Sequence, residues 1–399
     1  MGDASLSGRM RRVLHGSAVA AVLALLSACQ PAARPEVHFH AEGQPQALAD
    51  WQLFTINDGR MTPNTGVVPY DLNTPLFSDY AHKLRTVWMP GGKAAQYDGE
   101  ASFEFPVGTI ISKTFYYPRV PGEPRDSDRV VRSQDEAGTL PGGGLALDKV
   151  RLIETRLLVR RKEGWVALPY VWNAEQTEAR LMRSGELVAL SLVDAAGESE
   201  PATYTVPDQN QCAGCHGTDL RSKVLQPIGP KARHLNRDFA YMDESGALHS
   251  ENQLQHWQDV GYLTGLPAMP EVPRVANWRD AEHASLDARA RAYLDINCSH
   301  CHSPSGAGST SGLWLGSNVD EPLRLGRCKL PIAAGHGTGD RQYGIVPGQP
   351  DQSILTFRMI STDPGVMMPE LGRSVVHEEG VALISAWIAA QHGDCGDAG

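Results

Sequence analysis

Positive charge is what this sequence of 399 residues most lacks: 36 Lys and Arg stand against 46 Asp and Glu, for a formal charge of −10. A nucleic-acid binder needs a basic patch to meet the phosphates, and no such stripe is present. That partner class is excluded, and an acidic chain is better matched to a basic protein partner. Long hydrophobic runs are also missing. The apolar stretch SAVAAVLALLSAC (17–29) is too short to span a bilayer as a stable helix. Cysteine is scarce, 7 in all, yet four of the seven fall into two copies of one five-residue pattern.

The N-terminal segment reads as an export signal. Arg9, Arg11 and Arg12 precede the short apolar run, and the run ends in Leu26-Ser27-Ala28-Cys29. That ending resembles the lipobox of bacterial lipoproteins. It implies a signal peptide over 1–28 and acyl chains on Cys29; more than one chain gives lasting attachment. Gln30, rather than Asp, at the next position resembles the pattern that sends such proteins to the outer membrane.

Residues 29–47, rich in Pro, Ala and Gln, are expected to form an unstructured tether. Residues 48–208 read as a β-rich domain. FEFPVGTIISKTFYYP (103–118) is β-branched and aromatic between Gly and Pro, and VRLIETRLLVRRKEGWVALPYVW (150–172) alternates apolar with polar residues around a Lys-Glu-Gly turn. No catalytic constellation is visible there; Asp126, Asp128 and Asp135 read as a solvated face. From 209 onward helical spacing appears: Leu254, Trp257 and Val260 within 250–263; Ala290, Tyr293 and Leu294 within 285–296, with Ser285 as N-cap; and Ile384, Trp387 and Ile388 within 377–390. The fold class expected is therefore α+β and multidomain. An N-terminal β-rich domain precedes two mainly α-helical modules, over 209–280 and 281–399.

The repeated pattern is Cys-x-x-Cys-His: Cys212, Cys215 and His216, then Cys298, Cys301 and His302. It is the attachment site of c-type haem. Two thiols add across the two vinyl groups at one macrocycle edge, so they must lie a fixed short distance apart. The adjacent histidine turns beneath the same ring to ligate the iron. With 7 Cys and 14 His in the chain, a chance copy has an expectation on the order of 0.004. A zinc ribbon would need its two CxxC pairs about 15–20 residues apart, not about 80. A thioredoxin-like pair would need a βαβ unit, and none is present. The spacing predicts two covalently bound c-type haems.

At the second motif the order is helix, CxxCH, loop, Met-Pro, helix, the order of a class I cytochrome c domain. Met368 is the expected distal ligand, Met367 its immediate rival and Met359 a distant one. At the first motif the distal ligand is open between Met269, Met242, His234 and none. The remaining Cys328 and Cys395 form an even pair, expected as a disulfide in an oxidising compartment.

TPLFSDYAHKLRTVWMP, FPVGTIISKTFYYP, YVWNAEQTEA, QPIGPKARHLNRD, AYLDINCSHCHSPSG and DPGVMMPELGRSVVHEEGVALISAWI together resemble a family of bacterial dihaem c-type cytochromes of undefined physiological role. The resemblance covers nearly all of the chain beyond the tether. It implies haem binding and electron transfer on the periplasmic side of the cell envelope, with a redox partner protein there, membrane attachment through the lipid anchor, and no established substrate. A dihaem peroxidase or oxidase-like enzyme with one open iron is the alternative. The lipobox makes one prediction directly: Cys29→Ser moves the protein from the membrane to the soluble envelope fraction, and wild-type protein already found in the soluble fraction would refute acylation.

Overall fold

The computed structural model describes residues 35–135, 138–217, 224–243, 245–332 and 334–396. Cys29, the expected lipidation site, lies outside the described residues. Six strands make the central sheet: β1 (Val68–Tyr70), β2 (His82–Trp88), β3 (Ile110–Pro118), β4 (Val150–Arg161), β5 (Gly164–Trp172) and β6 (Ala179–Leu181). They run β6-β5-β4-β3-β2-β1, every neighbour antiparallel. The β4–β5 hairpin forms where the alternation predicts, closing at Arg161 opposite Gly164. A bulge between Leu152 and Glu154 adds one residue to β4 and turns Ile153 toward a separate core.

Period-2 alternation gives the sheet two faces. One buries Leu84, Tyr116, Leu157, Leu168 and Tyr170 against Trp51 and Met61, and Trp51 Nε1 donates to Tyr170 Oη at 2.7 Å. Each fully buried Leu contributes about 2 kcal/mol. The other face carries Val87, Ile111, Leu158 and Ala167 into a core that also contains Cys212, Leu254 and Trp257. The hairpin Glu186–Val193/Ser199–Val206 forms a smaller sheet with Arg129–Val131.

Residues 36–47 do not behave as a free tether. Ala47 bridges Arg180, Leu181 N donates to Gln46 O at 2.9 Å, and Tyr170 Oη donates to Pro45 O at 3.0 Å. The edge strand β6 has backbone groups to satisfy, and this segment satisfies them.

Six α-helices follow among the described residues: α1 (Gln209–His216), α2 (Ala232–Leu235), α3 (Gln253–Asp259), α4 (Leu286–Cys298), α5 (Ile354–Ile360) and α6 (Glu378–Ala389). The expectation of mainly helical modules after residue 209 is overturned. Strand makes up 28% of the structure and helix 19%. Residues 238–252 form a hairpin, Asp238–Met242 with Leu248–Asn252, and Leu263–Thr264 pairs in parallel with Ala95–Gln96 of the β-rich region. The helix expected over 250–263 shrinks to α3, because Asn252 caps it through Leu254 N and Gly261, at φ +77°, stops it. Among the described residues between α4 and α5, the Gly/Ser/Pro-rich chain makes loops, short 3-10 turns and the isolated bridges Arg327–Ile345 and Tyr343–Ser353. Glu36–Gly399 forms one unit, with β-rich and later segments sharing cores. Among the described residues no helix is long and apolar enough to cross a membrane.

Helices α4 and α6 do form from their periodicity. Ser285 Oγ accepts from Ala288 N at 3.2 Å, capping α4. Ala290, Tyr293 and Leu294 then pack against Leu383, Ile384, Trp387 and Ile388 of α6. At Gly380 the packing leaves no room for a side chain: a Cβ would lie 2.3 Å from Tyr293 Oη and 2.7 Å from His377 Nδ1. Gly380→Ala is therefore expected to destabilise the protein by about 1–3 kcal/mol through overpacking, read as a lower denaturant midpoint. An unchanged or higher midpoint would show that the contact relaxes freely.

Candidate functional site

The first CxxCH lies wholly on α1. Asp208 starts this helix with a reciprocal cap: its carboxylate accepts from Asn210 N and Gln211 N at 2.7 and 2.8 Å, while the Gln211 side-chain oxygen accepts from Asp208 N at 3.0 Å. Helical spacing then puts Cys212 and Cys215 three residues apart on one side. The second CxxCH begins at the last residue of α4, Cys298, and continues in the turn beyond it, where His302 N donates to Cys298 O at 2.9 Å. All four cysteines are unpaired with one another. Burial pushes the thiols up, Cys212 to about 11 and Cys298 and Cys301 to about 12, so they are held protonated.

The histidines are held as neutral rings. Burial depresses His216 to about 3 and His302 to about 4; the neutral imidazole is the ligating form. His216 Nδ1 donates to the Gln226 carbonyl at 2.7 Å, leaving Nε2 for a ligand. His302 Nδ1 instead meets the Ser311 hydroxyl at 3.1 Å, and that hydroxyl donates to Gly308 O at 2.6 Å. A hydroxyl takes the place of the carbonyl that usually orients such a ring.

Two cavities open beside the motifs. The first, of about 450 Å³, is lined by Cys298, Cys301, His302, Met359 and Met368, with apolar walls such as Leu313 and Leu325. Met367 is buried but is not part of this wall. The Met368 backbone is pinned at both ends of its peptide unit: its N donates to Arg358 O at 2.9 Å, and Arg373 Nε donates to its carbonyl at 3.2 Å. His377 also lines the cavity, but its ring is committed elsewhere. It stacks on Phe77 at 4.1 Å, Nδ1 meets Tyr293 Oη at 2.9 Å, and Nε2 meets Gln134 Nε2 at 3.1 Å.

The second cavity, of about 420 Å³, is lined by Cys215, His216, His234, Asp295 and His300. Of the residues left open for the first motif, His234 is the one the fold brings to the wall that holds His216. Its Nε2 lies 3.3 Å from Asp295 Oδ2, and its buried Nδ1 has no partner. Met242 is 46% exposed on the hairpin, and Met269 packs at the edge of the shared core; neither is on this wall. His300 was missed in the sequence, although it stands inside the second motif. It lines both cavities.

The two motifs meet in space. Cys301 Sγ approaches the Gly214 carbonyl at 3.9 Å, and Gly214 and Cys215 belong to the wall of the first cavity as well. Cys328 and Cys395 are joined, their Cα atoms 5.1 Å apart, tying the chain beyond α6 to the loop before α5. A separate group, His249, Glu251 and His256, has donor atoms within 4.8 Å of one another but lies on neither cavity wall. No protein-family model, curated protein or solved structure matches this chain.

At the second motif the paired thiols, neutral imidazole and a thioether line one largely apolar cavity, a donor set that suits a c-type haem; at the first, Cys215 and His216 line a cavity while Cys212 is buried in the adjoining core. If the second motif carries a haem ligated by Met368, then, because sulfur favours ferrous iron, Met368→Ala is expected to lower the potential of one haem and abolish the weak long-wavelength band of Met-ligated ferric haem. Both thioether attachments should survive. Met367→Ala should leave the band in place; loss of the band in Met367→Ala alone would move the assignment by one residue.

Proposed function

We propose that the protein is a dihaem c-type cytochrome of the bacterial cell envelope, belonging to the family its sequence segments resemble. One observation carries the reading: two complete CxxCH motifs, far apart in the chain, lie against each other with Cys301 Sγ 3.9 Å from Gly214 O. A covalently bound haem supplies one-electron iron chemistry. The residues do the rest. Cys212 and Cys215 would hold one group and Cys298 and Cys301 the other; His216 and His302 present neutral rings; Met368 lines the same cavity as His302, and its apolar walls would limit water.

The lipobox supports attachment through acylated Cys29, and Gln30 supports the outer membrane as destination. The acidic surface favours a basic redox partner protein. Electron transfer, rather than turnover of a substrate, is the reading favoured, because each motif has a second side chain suited to iron on the wall of its cavity: His234 at the first and Met368 at the second.

The decisive test is stoichiometry and coordination together. Denatured protein should retain two haems per chain against acid extraction, and the reduced native protein should leave carbon monoxide unbound. A count of one, or extractable haem, refutes the dihaem reading. Carbon monoxide binding at one iron replaces the carrier with a dihaem oxidase or peroxidase.

A further inference from the structure

Three central strands place an unusual set of charges on one sheet face. Register sets Arg85 of β2 directly opposite Lys113 of β3, and Lys113 directly opposite Arg156 of β4. The next row on the same face is Lys83, Phe115 and Glu154. Like charges directly opposite one another destabilise a sheet, so a row of three cations calls for counter-charge.

The carboxylates do not suffice. Asp71 accepts from Arg85 at 2.6 Å and from Arg237 at 2.8 Å. Glu154, fully buried, accepts from Arg156 at 2.8 and 2.5 Å and from Tyr204 Oη at 2.7 Å. Lys83, 8% exposed, donates to the Ala81 carbonyl at 2.9 Å. Among the described residues neither Lys83 nor Lys113 has a carboxylate within ion-pair distance. The Phe115 ring offers partial compensation, with Lys83 Nζ, Lys113 Nζ and Arg156 Cζ at 5.4, 6.0 and 4.3 Å from its centroid.

This face adjoins the first CxxCH. Its neighbouring row, Val87, Ile111 and Leu158, belongs to the core that includes Cys212. Cys215 and His216 both lie within electrostatic range of Lys113 and Arg156. Desolvation, with Arg85 and Arg156 adding to it, depresses Lys113 to about 7; an anion at this position would reverse that shift.

We propose that Lys83, Lys113 and Arg156 form a receptor for a carboxylate or small oxyanion beside the first CxxCH motif. This rests on the reading of that motif as haem-bearing. Two sources supply the chemistry: the haem's own carboxylates, or a free oxyanion from solution. Either one neutralises the surplus ammonium charge that the protein leaves unpaired.

The test uses the two-haem protein, with Lys113→Met, Lys113→Arg, and titrations with formate and inorganic phosphate. Lys113→Met should lower the midpoint potential of one haem and leave the other unmoved, and Lys113→Arg should restore it. If the anion is the haem's carboxylate, formate and phosphate leave the wild-type spectrum unchanged. If it is free, either one shifts the spectrum of one haem saturably in wild type and not in Lys113→Met. Lys113→Met protein with both potentials and both titrations identical to wild type overturns the proposal. Haem stoichiometry is measured on every variant, so a first motif without haem refutes the haem reading by itself. Formate calorimetry then separates the sources: saturable binding lost in Lys113→Met assigns the site to a free oxyanion, and no formate binding together with unmoved potentials in Lys113→Met overturns the receptor.

Discussion

Asp295 is the constraint on which both sites depend. It stands on α4 three residues before Cys298, its side chain wholly buried. Its carboxylate accepts from Arg233 at 2.6 and 3.0 Å, from Ser299 at 2.9 Å and from Ser317 at 3.0 Å, and it faces His234 Nε2 at 3.3 Å. Burial alone would raise its pKa. The His234 and Arg233 contacts outweigh that and hold it well below the carboxylate range. Removing one partner of such a buried set costs about 3–5 kcal/mol, because it strands the others. A depressed carboxylate contributes stability above its unfolded pKa and loses it as pH falls through the folded value. Asp295 thus ties α2, which carries His234, to the helix that delivers the second motif. Asp295 and His234 both line the second cavity.

The β-rich region serves as the frame for both motifs. Asn297, one residue before Cys298, accepts from Phe77 N at 2.8 Å, and Thr74 bonds to the 276–278 segment on both sides. Asp79 and Tyr80 adopt left-handed backbone conformations, φ +50° and +63°, costly for non-glycine residues. The return is contact with the C-terminal segment. Asp79 accepts from Ser374 N at 2.6 Å and Val375 N at 3.0 Å, and Tyr80 Oη donates to Glu379 at 2.8 Å. The charged rows of β2, β3 and β4 then give the sheet a chemical part beside the first motif, beyond support.

Legibility in the sequence followed the range of the interaction. The β4–β5 hairpin and helices α4 and α6 were readable because alternation, capping and the 3.6-residue period are local rules. The helical character expected over 209–280 failed because a few apolar residues at helical spacing cannot outweigh an Asn cap, a Gly stop and strand partners contributed by distant residues 95–96. Which of Met269, Met242 and His234 stands near the first motif was not legible either: the fold packs Met269 at the edge of the core and brings His234 to the wall that carries His216. His300 was visible as a residue and invisible as a participant.

By itself, the sequence determined that two thiols and a histidine are neighbours in the chain at each motif, the local spacing that the haem reading rests on. It also determined the acidic charge balance, with 46 acidic against 36 basic residues. Only the tertiary structure decided that the two motifs touch, that Met368 rather than Met367 shares the cavity with His302, that His234 shares one with His216, and that Arg85, Lys113 and Arg156 stand in a row. Each of these depends on strand register, loop orientation or a buried ion pair between residues remote in sequence. Such pairings are selected by the free energy of the whole fold, which no local pattern records.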